Sequence, residues 1–533
     1  MKKQLIIVAS ILSAAILLAA PWKLTVMFNN DRHGGIAPGE ATFMNPETPP
    51  PLGKLPSEAA VIKEYRERAK KRGFGFLYID QGDIWQGAPV GSLTDGEAIV
   101  TAYNAVMPDA VTVGNHEFDS GQDNLEKLIE LSDFPWLGAN LVDNRTGELV
   151  EGLEPYIIKE FEIPGEGKLK VGIIGITTQD TKTMSFPENT EGITILDEVE
   201  TANAYAETLR TKHGVDFIIT SCHIGLPFDA MEAYEKLGEI GAEYDEGHYG
   251  GIDLVEIDVI FGGHIHIGYQ RPWEDPETHV LVFQNYAHGT GFGGVDFLFD
   301  PEEKVFLGYE PFALDNALVT LFSDEFWPDS AVSRVVDSLQ AEAEAGLSEV
   351  VGVAQGMIPR GDASVNKVGQ IVCDAMIEAT GSDISITNMG GVRAEIGGGD
   401  ITKGDIFNVM PFDNKIVVVP VKGKEVVEIV ERMAGKYSGA LIGGAHVLYG
   451  QDENQILSLT FGGEQVDSSA TYNFATTDYV YNSYGIKQFE EVDDSQVQFT
   501  GMLLRTAIER YIGEHSPITP KPDDRWRIAG GNR

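Results

Sequence analysis

From Leu24 to about Asp300, short apolar runs alternate with helical or loop stretches, the rhythm expected of βαβ units laid around a sheet. The runs predict strands over residues 24–28, 74–79, 110–113, 169–176, 216–221, 258–261 and 280–283. Between Ile36 and Pro56 the rhythm breaks, because Pro49, Pro50 and Pro51 fix φ and remove amide donors; this stretch is a loop. Near Trp327 and Pro328 the pattern changes again. Residues 329–347 are rich in Ala and Glu at helical spacing, carry no strand signal, and predict a helix joining two domains. Beyond it, strands are expected over 384–387, 416–421 and 471–476. With 533 residues the chain exceeds the roughly 250 to 300 that one core can serve, so two large domains are expected. The division expected is 1–20 as an export segment, 21–325 and 351–533 as the two domains, and 326–350 as the helical link.

Charge changes the picture. Eighty-two acidic against 39 basic side chains leave a formal net charge of −43. Such a surface repels nucleic-acid polymers and anionic membranes, and its ordinary role is solubility in a saline habitat. The same field repels a phosphorylated small molecule unless cations neutralise it locally, which directs attention to a metal-lined site. Cys222 and Cys373 are the only cysteines and fall in different domains, so no structural disulfide is expected.

Met1 to Ala20 joins Lys2 and Lys3 to an apolar run from Leu5 through Leu18, the layout of a secretory signal and hence of a periplasmic or extracellular protein. Leu18 stands where a small residue is preferred before a cleavage point, and Pro21 follows. An uncleaved N-terminal membrane anchor is therefore the alternative, and no cysteine follows the run to carry a lipid.

Candidate chemistry sits at the strand ends. Asp31 and His33 follow the first strand, Asp83 the second, Asn115 and His116 the third, His223 the fifth, and His264 and His266 the sixth. The carboxyl ends of strands in an α/β sheet form the crevice where ligands bind, so five such ends gather these side chains. Taken alone, each has an ordinary explanation as a turn, a cap or a buried histidine. Leaving His116 aside, they offer two carboxylates, four imidazoles and an amide, too many for one tetrahedral ion and suited to two ions roughly 3.5 to 4 Å apart that share a carboxylate. No thiolate is present, which disfavours structural zinc and iron–sulfur sites; the mixed oxygen and nitrogen donors fit zinc, manganese, cobalt or iron.

The motifs Asn30-Asp31-Arg32-His33-Gly34, Gly82-Asp83, Gly114-Asn115-His116-Glu117-Phe118-Asp119, His223 and Gly263-His264-Ile265-His266 resemble those of calcineurin-like metallophosphoesterases of the 5'-nucleotidase family. That resemblance spans most of the chain and implies an N-terminal four-layer α/β/β/α catalytic domain with a C-terminal α+β substrate-binding domain. It also implies metal-ligand roles. Asp31, His33 and His266 would hold one ion and Asn115, His223 and His264 the other, with Asp83 bridging. His116 would stabilise the scissile phosphate, with Asp119 orienting and charging it; Asp at 119 favours monoesterases over the related cyclic-nucleotide phosphodiesterases.

In the second half, Asn388-Met389-Gly390-Gly391-Val392-Arg393, Met410-Pro411-Phe412 and Arg360 are similar to the family's nucleotide-binding elements. The resemblance implies that Arg360 and Arg393 grip anionic edges, that Asn388 belongs to the substrate-binding element, and that Phe412 and Tyr479 clamp the base. One departure stands out: after Tyr479, where the family places an acid for the ribose, this chain reads Asn482-Ser483-Tyr484-Gly485. The substrate expected is a small nucleotide, the alternatives being a nucleotide sugar or other phosphometabolite, or a non-catalytic surface binder. Arg32 is expected to face solvent. His213, His248, His279, His288, His446 and His515 match no motif and are expected to be structural or exposed.

Overall fold

The computed structural model describes residues 20–45, 48–185, 187–225, 257–275, 279–313, 316–361, 366–436, 440–450, 455–483, 486–519 and 525–529. Residues 1–19, where an export segment is expected, lie outside them. Among the described residues no helix is long and apolar enough to cross a membrane.

Two sheets face each other in the first half. One runs Phe306–Pro311, Gly291–Phe299, Trp22–Asn29, Gly75–Asp80, Ala110–Thr112, Trp136–Leu137 in spatial order; the other runs Trp273–Glu274, Leu281–Gln284, Val259–Gly262, Phe217–His223, Gly167–Thr177, Tyr156–Ile163. The period-two alternation of strand side chains explains their packing. Leu24, Val26 and Phe28 point into the layer between the sheets, whereas Met27 points outward beneath the helices. Leu77 and Ile79 repeat the inward choice, and Phe76 and Tyr78 the outward one. With both faces buried, these strands read as continuous apolar runs, which is why they are legible in the sequence. The inner layer is aromatic, with Phe28 and Phe261 ring centroids 4.7 Å apart.

Helices cover both outer faces. Lys54–Arg72, Glu97–Val106, Gln122–Leu131 and Ser330–Ala343 lie over the first sheet, and Glu198–Thr208 over the second, completing four layers. Ser330–Ala343 is capped by Asp329, whose carboxylate accepts the Ala331 and Val332 amides, and it buries Val332 and Val336 against the first half.

The second half is built on a five-stranded sheet in the order Ala440–Gly443, Ile384–Asn388, Thr471–Thr477, Lys415–Lys422, Gln498–Leu503. Helices Lys367–Thr380 and Leu504–His515 pack on one face and Gly423–Lys436 on the other. Cys222 and Cys373 are both buried and free.

Candidate metal centre

Strands Trp22–Asn29, Gly75–Asp80 and Ala110–Thr112 are parallel neighbours, as are Gly167–Thr177, Phe217–His223 and Val259–Gly262 in the other sheet. The two sets are tied where they end: the Thr112 and Ser221 hydroxyls lie 2.7 Å apart, and the Thr177 hydroxyl donates to the Val113 carbonyl at 2.7 Å. The loops leaving these ends therefore converge on one crevice.

There the side chains fall into overlapping groups. Asp31, His33 and His266 form one set, and Asp83, His223 and His264 another, each with its ligand atoms within 4.8 Å of one another; Asp83 also groups with His33 and His116. Asn115 joins the second set, its Oδ1 2.9 Å from His264 Nδ1. One carboxylate oxygen links the two: Asp83 Oδ2 is 3.0 Å from His223 Nε2 and 4.0 Å from His33 Nε2. Its other oxygen accepts the His116 amide at 2.8 Å.

Whether these residues suit cations can be tested on the rings themselves. His33 Nδ1 and His223 Nδ1 each lie 2.7 Å from a carbonyl, of Gln86 and Gln81, which can only accept. Each must donate there, so in the neutral ring Nε2 is left as a lone pair facing the crevice, the tautomer a metal ligand needs. His223 Nε2 is buried and makes no hydrogen bond, although Asp83 is close. The Nε2 atoms of His33 and His266 stand 2.9 Å apart, converging on shared space. Burial drives His33 well below its ordinary pKa, His264 down to about 4 and His266 to about 3, so all three keep their lone pairs. Burial likewise lifts Asp31 to about 6, aided by the charge of Asp83. At His223 burial is outweighed by Asp83 and Asp31, which raise it to about 10; a cation would satisfy the same field that draws a proton onto this ring. The donor set fits divalent metals.

His116 stands at the rim. Its Nδ1 is 2.7 Å from Asp119 Oδ2, and although burial opposes the charge, Asp119 and Asp83 raise the ring to about 9. The Phe412 ring lies 6.2 Å away at an interplanar angle of 24°, so the second half covers the crevice directly. A cavity of about 290 Å³ between the halves is lined by Asn115, His116 and Asp119 on one side and by Asn388, Arg393, Phe412 and Tyr479 on the other. A second, of about 410 Å³, holds His33, Asp83, His264 and His266 and shares His116, Arg393 and Phe412 with the first. Arg360 lines neither; its Nε donates to the Val392 carbonyl at 2.5 Å.

Residues 30–268 match the family model of calcineurin-like phosphoesterases, and residues 345–491 match that of the 5'-nucleotidase C-terminal domain. The chain belongs to the 5'-nucleotidase family of calcineurin-like phosphoesterases. These are hydrolases of phosphoric ester bonds, and metallophosphoesterases use divalent metals. A 5'-nucleotidase of Vibrio cholerae serotype O1 is 27% identical, with 97% of each chain covered. Protein UshA of Salmonella pullorum is 26% identical, over 95% of this chain and 94% of that one. Among solved structures, a 5'-nucleotidase precursor from Thermus thermophilus superposes with a TM-score of 0.78 at 24% identity, covering 96% of this chain and all of that one. The sulfate thiohydrolase SoxB of the same organism shares the fold at a TM-score of 0.72 and 16% identity, covering 96% of this chain and 97% of that one. Fold alone therefore leaves the substrate open.

One expectation about this family member needs correction. Arg32 does not face solvent: it is fully buried, pairs with Glu58 at 2.6 Å, and donates to the Tyr103 hydroxyl at 2.5 Å. His288, which matches no motif, is exposed as expected, and it also lines the metal-centre cavity with its ring 5.5 Å from those of both His33 and His266. The strand-end rule that finds the other histidines also reaches it, since it closely follows the strand Leu281–Gln284. Glu117 has a role that its place in the motif does not announce. Fully buried, it accepts the amides of Asp83, Ile84 and Gly114 at 2.8, 2.9 and 2.7 Å, and so clamps the Asp83 loop.

Proposed function

We propose that this chain is an exported phosphomonoesterase that hydrolyses nucleoside 5'-monophosphates, with residues 21–325 as the catalytic unit and 351–533 as the substrate-binding unit. The observation that carries the reading is the shared wall of the two cavities. His116, Arg393 and Phe412 border both, so an aromatic-lined chamber opens directly onto the ligand cluster.

Asp31, His33 and His266 are the residues to hold one divalent ion, and Asn115, His223 and His264 a second, with Asp83 shared; zinc, manganese, cobalt and iron all suit these donors. Bound ions supply Lewis acidity, activating water near neutral pH and neutralising phosphoryl oxygens. The chain's own groups do the rest. His116, kept charged by Asp119, donates towards the phosphoryl or leaving oxygen as negative charge grows there. Arg393 offers a guanidinium fork to the phosphate from the opposite unit. Phe412 and Tyr479 enclose the base, which excludes water from the reacting end. The apolar run of Met1 to Ala20 supports export, and the charge of −43 argues against polymeric nucleic acid as substrate.

The test is phosphate release from AMP, UDP-glucose and an aryl phosphate, with and without chelator. Chelator-sensitive release that favours AMP is expected. A preference for UDP-glucose, or equal aryl activity, would move the assignment to another phosphometabolite; no release with any metal would mean a binding protein.

A further inference from the structure

We propose that Asp95, on the catalytic unit, recognises the ribose of the substrate by accepting its vicinal hydroxyls. This rests on the nucleotide reading above and names the residue that discriminates the sugar.

Three carboxylates line the 290 Å³ cavity: Asp95, Asp119 and Asp413. Asp119 is engaged by His116, and Asp413 is paired with Arg505. Asp95 is exposed at the cavity wall; its Oδ1 accepts the Ser120 hydroxyl at 2.7 Å, which leaves its second oxygen open to solvent or to a ligand. Its backbone is fixed. φ is +47°, the next residue is Gly96 at +89°, and the Asp95 carbonyl accepts the Asn124 side-chain amide at 2.9 Å. Aspartate adopts the left-handed region more readily than most residues, so this turn holds Asp95 on the cavity wall.

Position selects the ligand. Ser120, which holds Asp95, follows Asp119, the partner of His116, so Asp95 stands beside the phosphate end of the cavity. It does not line the metal-centre cavity, so its charge is kept off the phosphoryl group. Phe412 and Tyr479 line the aromatic part of the same space, and the piece of a nucleotide that lies between phosphate and base is the sugar. A carboxylate only accepts, and the two adjacent hydroxyls of ribose are the donors available at that point. No acid follows Tyr479 at Asn482 or Ser483, so a sugar-binding carboxylate on the catalytic unit fills a role the second half leaves vacant.

The experiment compares kcat/KM for AMP, 2',3'-dideoxy-AMP and an aryl phosphate in the metal-loaded full chain, as wild type, Asp95→Ala and Asp95→Asn. Wild type should prefer AMP over the dideoxy substrate by about tenfold or more, and Asp95→Ala should bring that ratio towards one, mainly through KM. Asp95→Asn keeps one acceptor and should fall between; it also serves if the alanine variant fails to fold. A wild type that prefers AMP over the aryl phosphate, with an AMP to dideoxy-AMP ratio unmoved in both variants, overturns the role of Asp95 alone. A wild type with no preference for AMP over the aryl phosphate overturns the nucleotide reading and this inference with it.

Discussion

Replacing Arg32 with methionine probes the floor of the metal centre. Arg32 lies between Asp31 and His33, two residues of the candidate metal centre, yet its guanidinium points into the helix-covered core. There it meets Glu58 at 2.6 Å, Tyr103 at 2.5 Å and Tyr78 at 3.3 Å, while Tyr103 donates onward to Asp80 at 2.7 Å. Arg32 and Glu58 both have fully buried side chains. Methionine fills the space but strands the Glu58 carboxylate, which keeps only neutral donors, the Asn29 amide at 3.0 Å and the Tyr78 hydroxyl. Breaking one side of such a buried pair costs about 3 to 5 kcal/mol. For a domain of this size that is a fall in melting temperature of about 6 to 20 °C. Changing both partners, as Arg32→Met with Glu58→Met, removes the orphaned charge and should recover more than half of the loss. Thermal unfolding of the four proteins of this cycle, each loaded with metal, gives the coupling directly. A single variant within about 2 °C of wild type, or a double variant no more stable than Arg32→Met, would refute the reasoning.

Other outcomes follow from the same geometry. Asp83→Ala removes the carboxylate shared by both ligand sets and should abolish turnover while lowering bound metal by at least about tenfold, read by elemental analysis after gel filtration. Asp119→Asn takes away a carboxylate that, with Asp83 and against burial, raises His116 to about 9. The folded-state pKa of the ring should fall, so the alkaline limb of the kcat profile should shift to lower pH and the plateau rate should drop by about a hundredfold. Phe412→Ala removes one wall of the base chamber and should raise KM for AMP by about 5- to 150-fold, corresponding to about 1 to 3 kcal/mol of stacking; an unchanged KM would place the base elsewhere.

The strands that carry the ligands are legible because burial on both faces makes them short, continuous apolar runs, and because polar residues stand at their carboxyl ends. The pairing of two sheets face to face is not written in any local pattern. It arises from long-range partners such as Trp22–Asn29 with Gly291–Phe299, which lie more than 260 residues apart. Arg32 misleads for a related reason. Its anchor Glu58 lies in the helix Lys54–Arg72, beyond the proline-rich loop, and a charged residue in a loop motif carries no local sign of burial. His288 needs only the strand-end rule applied once more. Asp95 is out of reach, since nothing in Thr94-Asp95-Gly96 distinguishes a cavity wall from an ordinary turn.

Strain shows how the centre is built. Among the described residues, Asp31, His33, Asp83, His264, His266 and His288 all adopt φ between +49° and +76°. At about 1 to 2 kcal/mol each, six such residues carry strain of the order of a domain's whole stability, so something local must hold them. The loops hold one another. The Asp31 amide donates to Gly82, the His33 amide to Asp83 and the His288 amide to Asp31, while the His264 amide donates to the Asp31 carboxylate at 2.8 Å. Each loop that bears a ligand is thus braced by a loop that bears another. A cation entering such a cage finds its donors already turned inward, and this preorganisation lets a protein with a net charge of −43 offer a site where a phosphate ester can be held and cleaved.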